Sequence, residues 1–374
     1  MVQEIVLVLS ASFVIALYGL RQIIFISHKT HLFDEPSEDR KIHGTRTPKL
    51  GGVAIFASVL AASFFFLSYT SIPHVNYLLF SCSILFILGV TDDLVDVNPS
   101  RKIIAQAVAA LAVTVFGEYR FTGFNGLFGL AQMPYPLSIA VSFLFVLFLT
   151  NAFNLIDGIN CLAGGIGLLA CLTFSFYFSS MHQEGFMLTS LALCGALACF
   201  LLFNRTPARI FMGDTGSTLL GFIIAIFAIH FIEGNPEPAS KVNSPVGLTL
   251  ALLIVPTFDT LRIFTIRLSR RKSPFLADRN HIHHRLIDMG LTHLQATGIL
   301  VIATIAALML TLLPLGTELL LVLLALYAIG LNALLSILLA RRRSRQAAKA
   351  TISVTYKQSQ PRMVIHEIKS TVGQ

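Results

Sequence analysis

The chain has no tryptophan, and only 12% of its 374 residues are charged. A soluble domain carries about 25% charged residues, so half the charge needed to cover a water-facing surface is missing. None of the five cysteines (Cys82, Cys161, Cys171, Cys194, Cys199) forms a Cys-x-x-Cys pair, and all lie in or beside apolar runs. That argues against a disulfide framework and reads them as small buried hydrophobes. Residues 1–20 hold no Lys or Arg, so the start lacks the basic flank of a cleavable signal peptide. The run from Ile5 to Ile26 is instead long enough to span a bilayer. Without Trp, any interfacial aromatic belt falls to Tyr and Phe.

What is present is apolar: 55% hydrophobic residues and a mean hydropathy of +0.76. A membrane helix needs about 20 consecutive apolar residues. Runs and breakers predict eleven spans, at 4–26, 50–70, 77–92, 101–118, 134–153, 159–180, 187–204, 216–232, 245–265, 294–314 and 317–340. The expected fold is an all-α polytopic membrane bundle. A transmembrane domain at 1–340 carries the catalytic loops, and a basic tail at 341–374 opens with Arg341-Arg342-Arg343-Ser344-Arg345 and is suited to anionic lipid. The net charge of +8 does not indicate nucleic acid, because the basic residues sit between spans rather than in one stripe.

Their distribution orients the chain. If alternate loops face opposite sides, 25 of the 27 Lys and Arg fall on one side, and only Arg120 and Lys241 on the other. The positive-inside rule then places the N-terminus outside and the tail in the cytoplasm. All ten Asp (34, 39, 92, 93, 96, 157, 214, 259, 278, 288) also fall on the cytoplasmic side, whereas Glu divides between the two. Acidic residues contribute little to topology, so this bias needs another cause. Carboxylates at a membrane boundary need a cation or hydrogen bonds to offset lost hydration, which a site for metal and phosphates would provide.

Four stretches stand out. Gly89-Val90-Thr91-Asp92-Asp93-Leu94-Val95-Asp96 ends a span; its adjacent carboxylates call for a nearby positive charge, and Asp92 and Asp96 share a face if the helix continues. A solvated acidic helix end is the plainer reading. Asn151, Asn154 and Asp157 recur every third residue, presenting oxygens that suit a hard divalent cation; capping before Gly158 is the alternative. In Asn204-Arg205-Thr206-Pro207-Ala208-Arg209-Ile210-Phe211-Met212-Gly213-Asp214-Thr215-Gly216-Ser217, two glycines flank an Asp at the start of a span. That suits close approach of a ligand to a helix N-terminus, or simple capping by Asp214. The last loop holds Arg267, Arg270, Arg271 and Lys272, then Asp278-Arg279-Asn280-His281-Ile282-His283-His284-Arg285. Three His could hold zinc, yet no second ligand cluster accompanies them, and recognition of phosphate explains His and Arg together. The first loop adds Asp34-Glu35-Pro36, Arg40-Lys41-Ile42-His43 and Thr47-Pro48-Lys49-Leu50-Gly51-Gly52, weak by itself.

Taken together and in this order, these stretches resemble the bacterial polyprenyl-phosphate N-acetylhexosamine-1-phosphate transferases, the WecA/TagO/MraY superfamily. His281-Ile282-His283-His284, rather than three consecutive His, favours the WecA-like group. The resemblance implies transfer of N-acetylglucosamine 1-phosphate from UDP-GlcNAc to undecaprenyl phosphate, releasing UMP, at a bacterial inner membrane with Mg²⁺ or Mn²⁺. It implies Asp92, Asp93 and Asp157 as catalytic residues, Asp214 and Asn154 at the metal, and Lys49, Asn204, Phe211, Arg267, His281, His283 and His284 on the substrate. Membrane lipids are expected partners, and a homodimer is compatible with the pattern. One departure is Asp157-Gly158-Ile159-Asn160-Cys161, where relatives often read Asp-Gly-x-Asp-Gly; an amide at 160 alters charge and hydrogen bonding and with them the choice of UDP-N-acetylhexosamine. A secondary transporter is the competing class, disfavoured because its coupling residues would sit near the midplane of internal repeats.

Overall fold

The computed structural model describes residues 2–31, 47–66, 72–124, 127, 132–235, 242–271 and 280–359, with side chains of the last helix described to 344. Asp34, Asp39, Lys241, Lys272, Asp278 and Arg279, with the 32–46 loop, lie outside these residues. The described chain is helical: α1 Val2–Thr30, α2 Gly51–Phe66, α3 Val75–Val95, α4 Pro99–Leu111, α5 Tyr135–Ile156, α6 Leu162–Ser180, α7 Glu184–Asn204, α8 Gly213–Glu233, α9 Pro245–Leu252, α10 Ile254–Ser269, α11 Ile282–Asp288, α12 His293–Leu310 and α13 Thr317–Ser359.

Local sequence sets several of these boundaries. Asn98 accepts from the Ser100 amide ahead of Pro99, and Ser244 accepts from Gly247 ahead of Pro245, each a polar cap followed by proline at the first helical position. At α12, Thr292 and Gln295 cap each other's backbone amides reciprocally, as a capping box does.

Among the described residues, nine helices are long and apolar enough to cross a membrane, and α9 with α10 would make a tenth. This is a multi-pass membrane protein. Two expected spans differ from the structure. The span at 245–265 is broken by 74° between α9 and α10. Pro256 explains the break: it has no N–H to give the Leu252 carbonyl, and its ring crowds that same group. The helix from Gly51 is described as far as Phe66, 16 residues or about 24 Å at 1.5 Å per residue, and the rest of its expected span lies outside the described residues. Helix α13 continues past Ala340 to Ser359, so the basic tail begins as helix.

The bundle is arranged around α8, whose most apolar window is 89% buried against 22% for α1 and α13. Exposed side chains on the outer helices are largely apolar, among them Phe64, Phe65, Phe176, Ile302 and Met309, as expected where the solvent is lipid. Small residues let helices cross closely. Gly52 of α2 lies directly on Gly216 of α8, where an added Cβ would come within 2.1 Å of the Gly216 nitrogen. The chain before α2 is also stitched to the chain before α8: Phe211 N–H donates to Pro48 O (2.8 Å), Gly51 N–H to Phe211 O (3.0 Å) and Gly52 N–H to Met212 O (2.8 Å). Two motifs distant in sequence thus form one backbone unit.

Gly52→Val should therefore lower stability by about 3 kcal/mol, the upper range for overpacking, because the obstructing atom is backbone. Gly298→Ala, with open space around it, should instead gain about 0.5–1 kcal/mol from helix propensity. Thermal melts in one detergent would check both.

Candidate active site

At one end of the bundle, the C-termini of α3, α5 and α7 meet the N-termini of α4, α6 and α8 around a cavity of about 390 Å³. Its walls carry Asp92, Asp93, Asp96, Asp157, Asp214, Lys49, Lys102 and His284. Three of the four striking sequence stretches end here, and the fourth contributes His284. The opposite end is different: there Glu233 accepts from Thr122 (2.9 and 2.6 Å), and Arg120 donates to Ser138 and covers the Tyr135 ring.

The carboxylates are neutralised by different means. Lys102, from the first turns of α4, places its ammonium on both Asp92 and Asp214, 2.9 Å from the latter. This cation holds the end of α3 against the start of α8. Lys102 lies outside the notable stretches; its signal was only that an Asp-Asp pair needs a positive charge nearby. The other oxygen of Asp92 accepts the Val97 amide at 2.6 Å. Helix α3 stops at Val95, and Asp96 turns into the left-handed region (φ 47°), so the expected shared helical face of Asp92 and Asp96 does not form, although both line the cavity.

Asp93 has a different task. It accepts the Asp214 amide (2.7 Å), the Thr215 amide (3.0 Å) and the Thr215 hydroxyl (2.6 Å). An acid from α3 thus caps the N-terminus of α8, where the helix dipole favours negative charge. Asp214 does not cap α8, so its carboxylate is free to face the cavity. Gly213 makes this possible: it sits at φ 73°, and a Cβ there would meet Lys49 O at 2.0 Å and the Asp93 carboxylate.

On α5, Asn154 donates to Ser217 (3.1 Å) and lies beside Asp214. Asn151 turns away to Gln106 (2.8 Å), so the three-residue repeat does not act as one face. Asp157 ends the helix and faces the cavity. Burial, then the charges of Asp214 and Asp93, push its carboxyl well above the ordinary carboxylate range. Asn204 uses both ends of its amide within the protein, accepting from Cys161 N (2.6 Å) and donating to Ile210 O (2.8 Å). Asn160 donates to Thr206 (2.9 Å) and lines the wall with Phe211.

The histidines separate. Only His284 lines the cavity. His281 is buried with Nδ1 2.9 Å from Asp259. His283 is buried with Nε2 against Gly158; burial and the neighbouring His284 hold it well below the usual imidazole range. Arg267 is buried in α10 and is not on the cavity wall.

A model of glycosyl transferase family 4 matches residues 75–232, the stretch that contains Asp92 to Asp214. The undecaprenyl-phosphate α-N-acetylglucosaminyl 1-phosphate transferase of Yersinia pestis is 30% identical over 286 residues, covering 74% of this chain and 75% of that protein. A probable undecaprenyl-phosphate N-acetylglucosaminyl 1-phosphate transferase of Bacillus subtilis is 31% identical over 272 residues, covering 72% and 73%. The Escherichia coli K12 relative is 28% identical over 283 residues. The chain belongs to glycosyl transferase family 4. It is a transferase, and the transporter reading falls away.

Within this family 4 enzyme, Asp and Asn side chains make up half of the residues that line the cavity. Among the described residues no group of three or more His, Cys, Asp or Glu is arranged to hold a metal ion. The oxygens of Asp92 and Asp214 nevertheless converge on one cation, the Lys102 ammonium, with the Asn154 amide adjacent. That set fits a hard ion which takes one or two carboxylates and completes its shell with phosphate oxygens and water; it does not fit a closed zinc site.

Two outcomes follow. Asp93→Ala should cost about 1–3 kcal/mol, since it strands buried amides at the start of α8. For Asp157, the folded state holds the proton more tightly than the unfolded chain, so stability falls as pH rises from the unfolded toward the folded pKa. Asp157→Asn should remove that slope and melt higher than the unchanged protein at neutral pH, a difference that shrinks below about pH 4.

Proposed function

We propose that this enzyme transfers N-acetylglucosamine 1-phosphate from UDP-GlcNAc to undecaprenyl phosphate at the cytoplasmic face of a bacterial inner membrane, releasing UMP. The product, undecaprenyl-pyrophosphoryl-GlcNAc, would start a lipid-linked cell-surface glycan such as O-antigen or enterobacterial common antigen. The observation that carries this reading is the cavity itself: carboxylates, Lys102 and His284 face one another at the end of a lipid-exposed bundle. The names of the relatives agree with it.

In the reaction, an oxygen of the lipid phosphate attacks the sugar-linked phosphorus. A new P–O–P bond forms as the bond from that phosphorus to the bridging oxygen breaks, and the electron pair leaves with UMP. A phosphate monoester has its second pKa near 6, so the acceptor is largely ionised at neutral pH and needs no strong base. Catalysis is then positioning and charge neutralisation. Asp92, on the cavity wall beside Lys102, orients the acceptor in a single in-line displacement. Lys102 can shift from the carboxylates toward phosphate oxygens. His284 and Lys49 meet the donor diphosphate, and Asn204 and Phe211 bound its base end. Asp157, inclined by its surroundings toward the protonated form, offers a hydrogen-bond donor to an oxyanion. Asp214 and Asn154 would hold Mg²⁺ or Mn²⁺, which when bound supplies charge neutralisation on the diphosphate.

Another UDP-N-acetylhexosamine is the second reading, favoured by Asn160, whose neutral amide lines the cavity wall. A panel of UDP-sugars with purified enzyme and polyprenyl phosphate, followed by mass identification of the lipid product, decides between them; UDP-GlcNAc should be the preferred donor. Absence of polyprenyl-phosphate-dependent UMP release with every donor would refute the transfer itself. Asp214→Asn should reduce turnover by about 10²–10³-fold, the scale of losing one electrostatic contact in the transition state, in a protein that still folds. Asp92→Asn should lower kcat more than it weakens donor binding.

A further inference from the structure

Asp259 belongs to none of the notable stretches and does not line the cavity, yet it is among the most constrained groups in the protein. It is 1% exposed, in the middle of α10. One oxygen faces His281 Nδ1 at 2.9 Å. The other accepts the Ile282 amide at 3.0 Å and Arg262 Nη2 at 2.8 Å. The same Arg262 nitrogen also donates to the Asn280 carbonyl. One ion pair from α10, its acid buried, thus grips three successive residues, Asn280, His281 and Ile282, where the chain turns into α11.

Helix α11 has only seven residues, too few to hold its own direction without tertiary contacts. Its far end is gripped as well: Arg285 donates to Asn332 and Ser336 of α13, both at 2.6 Å. Between the two grips the rings form a column. His281 stacks on His283 (5.5 Å between centroids, 13° between planes), and His283 packs on His284 at 4.2 Å. A rotation of His281 would therefore be passed along to the only one of the three on the cavity wall.

The geometry points to Asp259 as a positioning residue for donor binding: through His281 and the first amide of α11, it sets where His284 meets the donor diphosphate. The inference rests on the functional reading above and adds that His281 acts on Asp259 rather than on the substrate. The anion is suited to the role. A carboxylate receiving charge-assisted bonds holds its partners more firmly than a neutral acceptor, and its charge favours the N-terminus of α11.

The test compares His281→Asn with His281→Leu. The Asn amide nitrogen occupies about the place of Nδ1 and can still donate to Asp259, whereas Leu cannot. Titration of UDP-GlcNAc into purified protein should give His281→Asn a donor Kd within about threefold of the unchanged protein. His281→Leu and Asp259→Asn should each weaken it by about tenfold, the scale of a lost charge-assisted hydrogen bond. At saturating donor, kcat should change less than about threefold, and the acceptor KM should stay constant. Combining Asp259→Asn with His284→Ala should weaken donor binding no further than His284→Ala alone, because both remove the same contact. Equal damage from Asn and Leu at 281 would mean that His281 meets substrate directly and would overturn the inference, as would additive losses in the double variant. If Asp259→Asn does not fold, the pair at 281 decides alone. Unchanged protein that binds no UDP-sugar would remove the functional reading and this inference together.

Discussion

Five carboxylates share one small cavity at the end of a helical bundle, and that end is organised by how their repulsion is answered. Lys102 supplies a positive charge to Asp92 and Asp214 at once, and in doing so ties α3, α4 and α8 together. Asp93 is satisfied by the unpaired amides of the first turn of α8, which need an acceptor as much as the acid needs donors. Among the described residues Asp157 shows no such donor, and burial beside Asp214 and Asp93 raises its carboxyl well above the ordinary carboxylate range. Asp96 remains exposed at the end of α3. These solutions leave Asp92 and Asp214 as the two carboxylates that share one side-chain cation.

The same arrangement divides structural from chemical roles among similar residues. Asp92 and Asp93 are adjacent, but one faces the cavity cation while the other serves as a helix cap. His281, His283 and His284 lie within four positions, yet the first is committed to Asp259, the second is buried against Gly158, and only the third reaches the cavity wall. The charged groups around Asp259 hold residues 280–282, where the chain turns into α11.

Much of this was legible in the residue order. Membrane helices announce themselves through run length, because the bilayer imposes a minimum apolar length on every crossing. The convergence of these stretches was readable from the gathering of Asp and basic residues at alternate span ends: the Asp-Asp pair, the Asn154–Asp157 stretch and the Gly213-Asp214 turn line one cavity. Even the break after α9 had a sign in Pro256, though its position inside a continuous apolar run hid the consequence.

Other features had no one-dimensional signature. Lys102 reads as one more basic residue at a span end, and Asp259 as a lone acid within a helix; each gains its role from partners 112 and 22 positions away. Composition and periodicity could say that carboxylates at a membrane boundary require compensation, because desolvation has the same cost wherever the chain folds. Which donor meets which oxygen depends on helix crossings set by close contacts such as Gly52 on Gly216. Those contacts arise from packing in three dimensions, and no spacing along the chain encodes them.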